Sequence, residues 1–459
     1  MSSFSQQAPD QASRREDPPV ASVVDKTLLQ LSFPLVLHAL VGVVVTLADT
    51  VIISSYSANA AAAVSISNQV LWVAYELSAM FGVGAVVLIS RELGAGNQEK
   101  AVLISESAIV ANCLMSGAIA MILLIGARSI ANGLNAPPII VDDIVVYLRV
   151  AAVALLFNGL MMAATSSLRA FGRTRVILAL GLIAYALYLG SVYVLVYGVG
   201  PFPELGVLGS ALATLIVRIF GAAVLFVVVV RTLGLKIGLF LRAQELAHHF
   251  RPMLRLSYPS AIDNTAYGIY QMILVSYIAR FDVAVILSRS FTLASSAVLT
   301  VVLMAISQSN EVLIGYRYGA KRYIEVYWCA IRSAAVAALL TTTLSAVLFF
   351  FAEPVIGLFT DDLNIIGAAK HLLYLTIFVQ PLSALNTILF HSLKTLGDVV
   401  VPVVATQIMM WSLSVPSAYW LAVSLEMGVT GLWYVLIFEE GLKAIFMLYR
   451  FGRRARALA

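Results

Sequence analysis

Three observations predict an all-α integral membrane protein with about twelve transmembrane helices in two six-helix bundles. Of the 459 residues, 61% are apolar and only 12% charged, with mean hydropathy +0.94, whereas soluble domains carry roughly 25% charged residues. Apolar runs of about 20 to 30 residues recur along the chain, long enough to cross a bilayer as helices, where barrel strands would show about ten residues of alternating pattern. Short sequence elements also return at one fixed offset, which makes the second half a copy of the first.

The offset is carried by three elements. Leu31-Ser32-Phe33-Pro34 returns as Leu256-Ser257-Tyr258-Pro259, Gly94-Ala95 as Gly319-Ala320, and Leu168-Arg169-Ala170-Phe171-Gly172 as Leu393-Lys394-Thr395-Leu396-Gly397. The differences 259 − 34, 319 − 94 and 393 − 168 are all 225. Six spans per copy put both copies into the membrane in the same orientation, a parallel repeat with the substrate path at the interface between the halves.

In chain order, residues 1–26 read as a polar tail. Asp10, Arg14, Arg15, Glu16 and Pro18-Pro19 lie there without an apolar core, so no cleavable signal peptide is expected. Spans follow near 27–57, 60–90, 101–127, 140–168, 175–198 and 207–231, forming an N-terminal lobe over 27–231. A polar connection, 232–251, leads to a C-terminal lobe over 252–450, with spans near 252–280, 285–316, 323–352, 365–393, 399–424 and 429–450. Residues 451–459 form a basic tail. Turn residues mark the breaks, among them Gly94-Ala95-Gly96-Asn97, Asn135-Ala136-Pro137-Pro138 and Gly200-Pro201-Phe202-Pro203.

The first span holds the residue of most interest. Leu31 to Ile53 is apolar except for one carboxylate, Asp49. An ionisable group at membrane depth costs about 3 kcal/mol or more and by default marks an ion or substrate pathway. From Thr27 to Ser90 the only other formal charge is Glu76, so nothing nearby in sequence neutralises either one. Among apolar walls, protonation relieves the cost of burying the charge. Asp49 is therefore expected to load and release protons. Pro34 removes a backbone hydrogen bond in the same helix and is the expected bend.

Other charges fall inside later spans. Glu76 and Asp263, the latter beside Asn264, are candidates for binding a cationic substrate, with Tyr188 and Met161 as parts of a plastic aromatic and thioether wall. Glu311 is expected to pair with Arg317 near a helix end. Arg218, Arg289 and Arg332 are expected to pair with carboxylates or to snorkel. His38, His391 and the pair Glu439-Glu440 stay without an assigned role. Cys113 and Cys329 give neither a disulfide framework nor a metal site.

Lysine and arginine set the orientation. Alternate loops collect Arg91 and Lys100, then Arg169, Arg173 and Arg175, then Arg231, Lys236, Arg242 and Arg251, then Arg317, Lys321 and Arg322, and the tail Arg450, Arg453, Arg454 and Arg456. About 22 of the 29 basic residues fall on this side, which predicts both termini in the cytoplasm of an inner-membrane protein. The net charge of +5 follows from that asymmetry and calls for no nucleic-acid partner.

Several of these elements in order resemble the multidrug and toxic compound extrusion (MATE) family. They are the Pro34-to-Asp49 helix, Glu92-Leu93-Gly94-Ala95-Gly96-Asn97, Leu168-Arg169-Ala170-Phe171-Gly172, the run from Leu205-Gly206 to Ala213-Thr214, and Gly428-Val429-Thr430-Gly431-Leu432-Trp433. The resemblance implies two lobes in a V around a central cavity, exporting organic, often cationic compounds in exchange for protons or sodium ions. It also implies an ion site in which Asp49 is joined by Asn158 and Thr214. In the fifth span many relatives carry Asn and Asp, but this chain reads Tyr188-Leu189-Gly190-Ser191-Val192. The second-half cation site of the sodium-coupled branch falls at about Tyr267 and Ser383. A sodium site needs several oxygen ligands, so proton coupling is the expectation and sodium the alternative.

No Walker-type loop, His-Glu-x-x-His or nucleophile elbow occurs in the chain, which argues against an ATPase or a hydrolase. The reading is a non-enzymatic secondary antiporter, without cofactor or metal, exporting drugs, toxins or a secondary metabolite. A monomer in the lipid bilayer is expected, with a small-molecule substrate. A sodium-coupled exporter and a lipid-linked saccharide flippase of the same superfamily are the alternatives.

Overall fold

A computed structural model describes residues 25–134, 136–235 and 243–458. The polar tail before residue 25, Asn135, residues 236–242 of the connection and Ala459 lie outside the described residues. Twelve long helices are present among the described residues, one for each expected span. α1 (Leu28–Tyr56) starts at a capping box, in which the Thr27 hydroxyl accepts from the Gln30 N–H and Gln30 Oε1 accepts from the Thr27 N–H. Extended Ser57 ends it and caps α2 (Ala58–Gly94). Gly96, at φ +82°, makes the turn into α3 (Gln98–Gly133). α4 (Val141–Ala170), α5 (Thr174–Tyr197) and α6 (Gly206–Leu233) complete the first half. The second half repeats the order with α7 (Phe250–Ile278), α8 (Val283–Gly319), α9 (Tyr323–Phe350), α10 (Leu363–Thr395), α11 (Val400–Ser424) and α12 (Gly428–Arg456).

Nine of these helices are apolar enough to cross a membrane, counted among the described residues. The remaining three, α4, α7 and α12, have 30, 29 and 29 residues. α2 and α8 are longer than their expected spans, with 37 residues each. At 1.5 Å per residue each measures roughly 55 Å, against about 30 Å of hydrocarbon. The polar last turns beyond Ser90 and Tyr316 supply about 5 Å of the excess in each. α11 is uneven, with π-helical turns at Met409–Ser414 and Trp420–Ser424 on either side of Val415–Tyr419. Pro416 has no N–H to offer the helix ladder, and the wider turns absorb that missing bond.

The halves meet through α1, α2, α7 and α8, and the repeat is legible in how they touch. A Cβ on Gly94 would stand 2.0 Å from the Tyr316 carbonyl oxygen, and a Cβ on Gly319 would stand 1.9 Å from the Arg91 carbonyl oxygen. Both 319 − 94 and 316 − 91 equal 225, so each contact is the image of the other. A Cβ on Gly315 would lie 1.9 Å from Oγ of Ser90, its own repeat equivalent. A residue meets its own equivalent only beside a two-fold axis, so a pseudo-two-fold runs between α2 and α8 at this point.

Polar contacts fasten the same end of the seam, the end that carries the arginine-rich loops. The Arg91 Nε donates to the Thr395 carbonyl at 2.9 Å, and the guanidinium lies 5.0 Å from the Tyr318 ring centre. The Tyr316 hydroxyl donates to the Ala170 carbonyl, and Arg169 Nη1 donates to Gln308 Oε1 at 2.5 Å. Beneath them one buried apolar cluster runs across both halves, including Leu31, Phe81 and Leu168 from the first and Met253, Val312 and Leu313 from the second. Glu311 departs from expectation: its partner is Lys394 at 2.8 Å, with His391 Nδ1 at 3.7 Å, whereas Arg317 lies 3.7 Å from Glu325. Six helical residues separate Glu311 and Arg317, which puts them roughly 120° apart around α8, on different faces.

Candidate functional site

Asp49 sits in the last third of α1, half-buried, and faces α5. Three tyrosines of α5 hold the two helices together. Tyr185 packs against Gly42, where a Cβ would come within 2.7 Å of its hydroxyl, and against His38 with ring centres 5.2 Å apart. Tyr188 brings its hydroxyl beside the Asp49 carboxyl, and Tyr197 donates to the Ile52 carbonyl at 2.9 Å. The neighbouring hydroxyls of α1 are already committed, Thr46 to the Gly42 carbonyl and Thr50 to the Thr46 carbonyl. Asp49 Oδ1 is left buried with no hydrogen-bond partner.

Behind Tyr188 the polar chain continues into the first half. Tyr188 has Thr214 of α6 and Tyr147 of α4 as neighbours, and Tyr147 lies near Ser210. Thr214 itself donates to the Ser210 carbonyl at 3.2 Å. Of the residues expected at the ion site, the structure thus brings Asp49 and Thr214 together through Tyr188. Asn158 is fully buried elsewhere, donating to the Ser78 hydroxyl at 2.8 Å between α4 and α2. Tyr188, expected in the substrate wall, lies beside Asp49. Tyr147 went unnoticed in the sequence, because an aromatic in an apolar span carries no local mark of a polar role.

The substrate candidates fall into two groups. Glu76 is exposed on α2 and lies near Asn264 of α7, across the interface between the halves. Asp263, next to Asn264, accepts from Gln407 Nε2 at 2.7 Å and from Thr406 Oγ1 at 3.3 Å, both on α11. Tyr75, beside Glu76, carries the Arg218 guanidinium 4.9 Å from its ring centre, so this arginine stacks on an aromatic face. Met161 lies apart from these groups. Its sulfur fills the space a side chain would need at Gly221, in the packing between α4 and α6. Pro34 is buried inside α1, 49 − 34 = 15 residues before the carboxylate, or roughly 22 Å along the axis.

The second half holds a polar cluster of its own. On α12, Lys443 pairs with Glu439 at 2.5 Å and with Glu440 at 3.6 Å. The Tyr270 hydroxyl donates to Glu439 at 2.8 Å, and Asn386 Nδ2 donates to Glu440 at 3.1 Å. Arg289 completes the layer by donating to Gln271 Oε1 at 2.7 Å, with Gln271 in turn donating to the Tyr267 hydroxyl at 2.5 Å. Glu439, Glu440 and Lys443 are all buried. The Glu-Glu-x-x-Lys spacing, which places lysine one turn from each acid, was the available signal.

The two halves of the chain are also matched separately by one family model, MatE, over residues 34–194 and 259–420. The two matches begin 225 residues apart, the offset of the internal repeat. The chain is 29% identical over 432 residues to the uncharacterized transporter YisQ of Bacillus subtilis, covering 94% of this chain and 95% of that protein. It is 25% identical over 435 residues to a probable multidrug resistance protein NorM of Thermotoga maritima, covering 93% and 92%. A solved outward-facing conformation of a multidrug resistance MATE family transporter of the MOP superfamily superposes with a TM-score of 0.87 at 18% identity, over 97% of this chain and 99% of that one. Twelve helices in two repeated bundles, an acid inside the first helix and two family matches in register with the repeat have one reading: the chain belongs to the MATE family of transporters.

Proposed function

We propose that the protein is a proton-coupled antiporter that exports organic cations or amphipathic compounds, with Asp49 as the proton carrier. The observation that carries this reading is the setting of Asp49, whose carboxyl lies beside the Tyr188 hydroxyl and keeps one buried oxygen without a hydrogen-bond partner. A charged carboxylate gains from every donor it can recruit, and a protonated one needs fewer. The two protonation states therefore prefer different surroundings, and a proton biases the exchange between conformers by that difference. Tyr188 and Thr214 tie the carboxyl to α5 and α6, so a change at Asp49 reaches three helices, and Pro34 gives α1 a place to bend.

The arginine-rich loops support a cytoplasmic position for the fastened end of the seam, by the positive-inside rule. On that reading the conformer described is closed to the cytoplasm, and Glu76 with Asp263 flanks the path that opens outward. Their carboxylates suit a cationic substrate. Addition of a fluorescent organic cation to reconstituted vesicles should release protons in step with its transport. Transport of the cation without proton movement, with or without sodium, would refute the proposal.

A further inference from the structure

Beside the fastened seam lies a cavity of about 850 Å³, set between the end of α2, the start of α7 and the start of α11. Its walls are apolar, with Leu88, Leu254 and Leu256 on one side and Val400 and Val401 on the other. The two valines are 49% and 43% exposed, so the wall continues onto the outer surface of the bundle. Four positions apart on α7, Arg251 and Arg255 line the same cavity and are exposed. They lie on one face of the helix, one turn apart.

The charges of the cavity do not cancel. Asp398, its one carboxylate, is held by Arg450 through two hydrogen bonds of 2.7 and 3.2 Å. The Arg91 guanidinium is held by the Thr395 carbonyl and the Tyr318 ring. Arg251 and Arg255 have neither a hydrogen bond nor an ion pair among the residues whose side chains are described. Two exposed guanidinium forks at the mouth, above an apolar channel open to the side, fit an amphiphile with an anionic head.

We infer that this cavity binds an anionic phospholipid from the leaflet at the arginine-rich end, its phosphate on Arg251 and Arg255 and an acyl chain along Leu254, Val400 and Val401. A free phosphate would satisfy the arginines and leave the valine wall in contact with nothing, which favours the lipid as the source of the anion. Basic pockets between membrane helices recognise anionic headgroups in this way. The cavity takes walls from both halves, next to the point where a Cβ on Gly84 would meet the Met253 carbonyl oxygen at 2.2 Å. A lipid seated there touches α2 and α7 together and favours the conformer in which they are in contact.

The test measures retention of phosphatidylglycerol, against phosphatidylcholine, by the purified protein in detergent, read by native mass spectrometry. At about 1 kcal/mol for each interfacial arginine, the double variant R251Q/R255Q should retain phosphatidylglycerol ten- to thirtyfold less well than wild type. Both side chains are exposed, so the fold is kept, and an unchanged melting temperature without lipid checks this. Val401→Asp, which places a negative charge on the tail path, should weaken retention as well. Millimolar inorganic phosphate should not displace the lipid. Equal retention of the two lipids, no loss in R251Q/R255Q, or full displacement by phosphate would overturn the inference. No ion gradient enters the measurement, so its outcome is separate from that of proton coupling.

Discussion

Gly319→Ala is expected to open the seam between the halves. Its new Cβ would lie 1.9 Å from the Arg91 carbonyl oxygen, where ordinary contact begins near 3.4 Å. The helices must separate by the difference, about 1.5 Å, because backbone faces backbone and no side chain can turn aside. Overpacking of this kind costs about 1 to 3 kcal/mol. The cost falls only on conformers in which α2 and α8 touch, so the equilibrium between closed and open seams should move by about 5- to 150-fold. Gly94→Ala, the repeat image, should act in the same direction, with its Cβ 2.0 Å from the Tyr316 carbonyl oxygen. Gly117→Ala is the control, since its Cβ would meet nothing within 4 Å. The assay is the distance distribution between spin labels at Lys100 and Ile324, both exposed, in a background with Cys113 and Cys329 replaced. A longer distance should gain population in Gly319→Ala and Gly94→Ala but not in Gly117→Ala. Unchanged distances together with an unchanged melting temperature would refute the packing argument.

Lys443→Met should destabilise the protein by about 3 to 5 kcal/mol, because it leaves Glu439 and Glu440 buried without their cation; adding Glu439→Gln and Glu440→Gln should recover much of the loss in thermal melts. Tyr188→Phe should impair proton-driven uptake, since it removes the hydroxyl that lies beside Asp49. Asn158→Ala should lower stability by about 1 to 3 kcal/mol and leave the dependence on protons intact, and equal loss of coupling in both variants would place Asn158 at the ion site after all. Glu76→Gln should weaken binding of cationic ligands and spare neutral ones in a direct binding assay. A cysteine at Asn59 should react with an impermeant thiol reagent from outside, and one at Lys100 only after the membrane is opened, so the reverse pattern would invert the topology.

The sequence carried the architecture further than the site. Twelve spans and the 225-residue offset were legible because each rests on many residues, and the reciprocal contacts of Gly94 and Gly319 are the offset seen in three dimensions. Asp49 was legible because a lone carboxylate in an apolar run stands out. Its partners were not. Tyr188 looks like any aromatic of a membrane helix, and its role depends on which way α5 turns toward α1. Asn158 has its hydroxyl partner 80 residues away at Ser78, a pairing that no spacing within one helix announces. Glu311 shows the same limit. Arg317 is close in sequence but on another face of α8, and Lys394 reaches the acid from α10.

Proton-driven uptake into inverted vesicles by wild type and Asp49→Asn, run with and without sodium, tests the central claim most directly. The amide keeps the shape of the side chain and removes the buried charge, so the variant should fold and bind ligand in the manner of the protonated state. Uptake driven by a pH gradient should collapse in Asp49→Asn and should need no sodium in wild type. Normal pH-driven uptake by Asp49→Asn, or strict dependence of the wild type on sodium, would contradict the account.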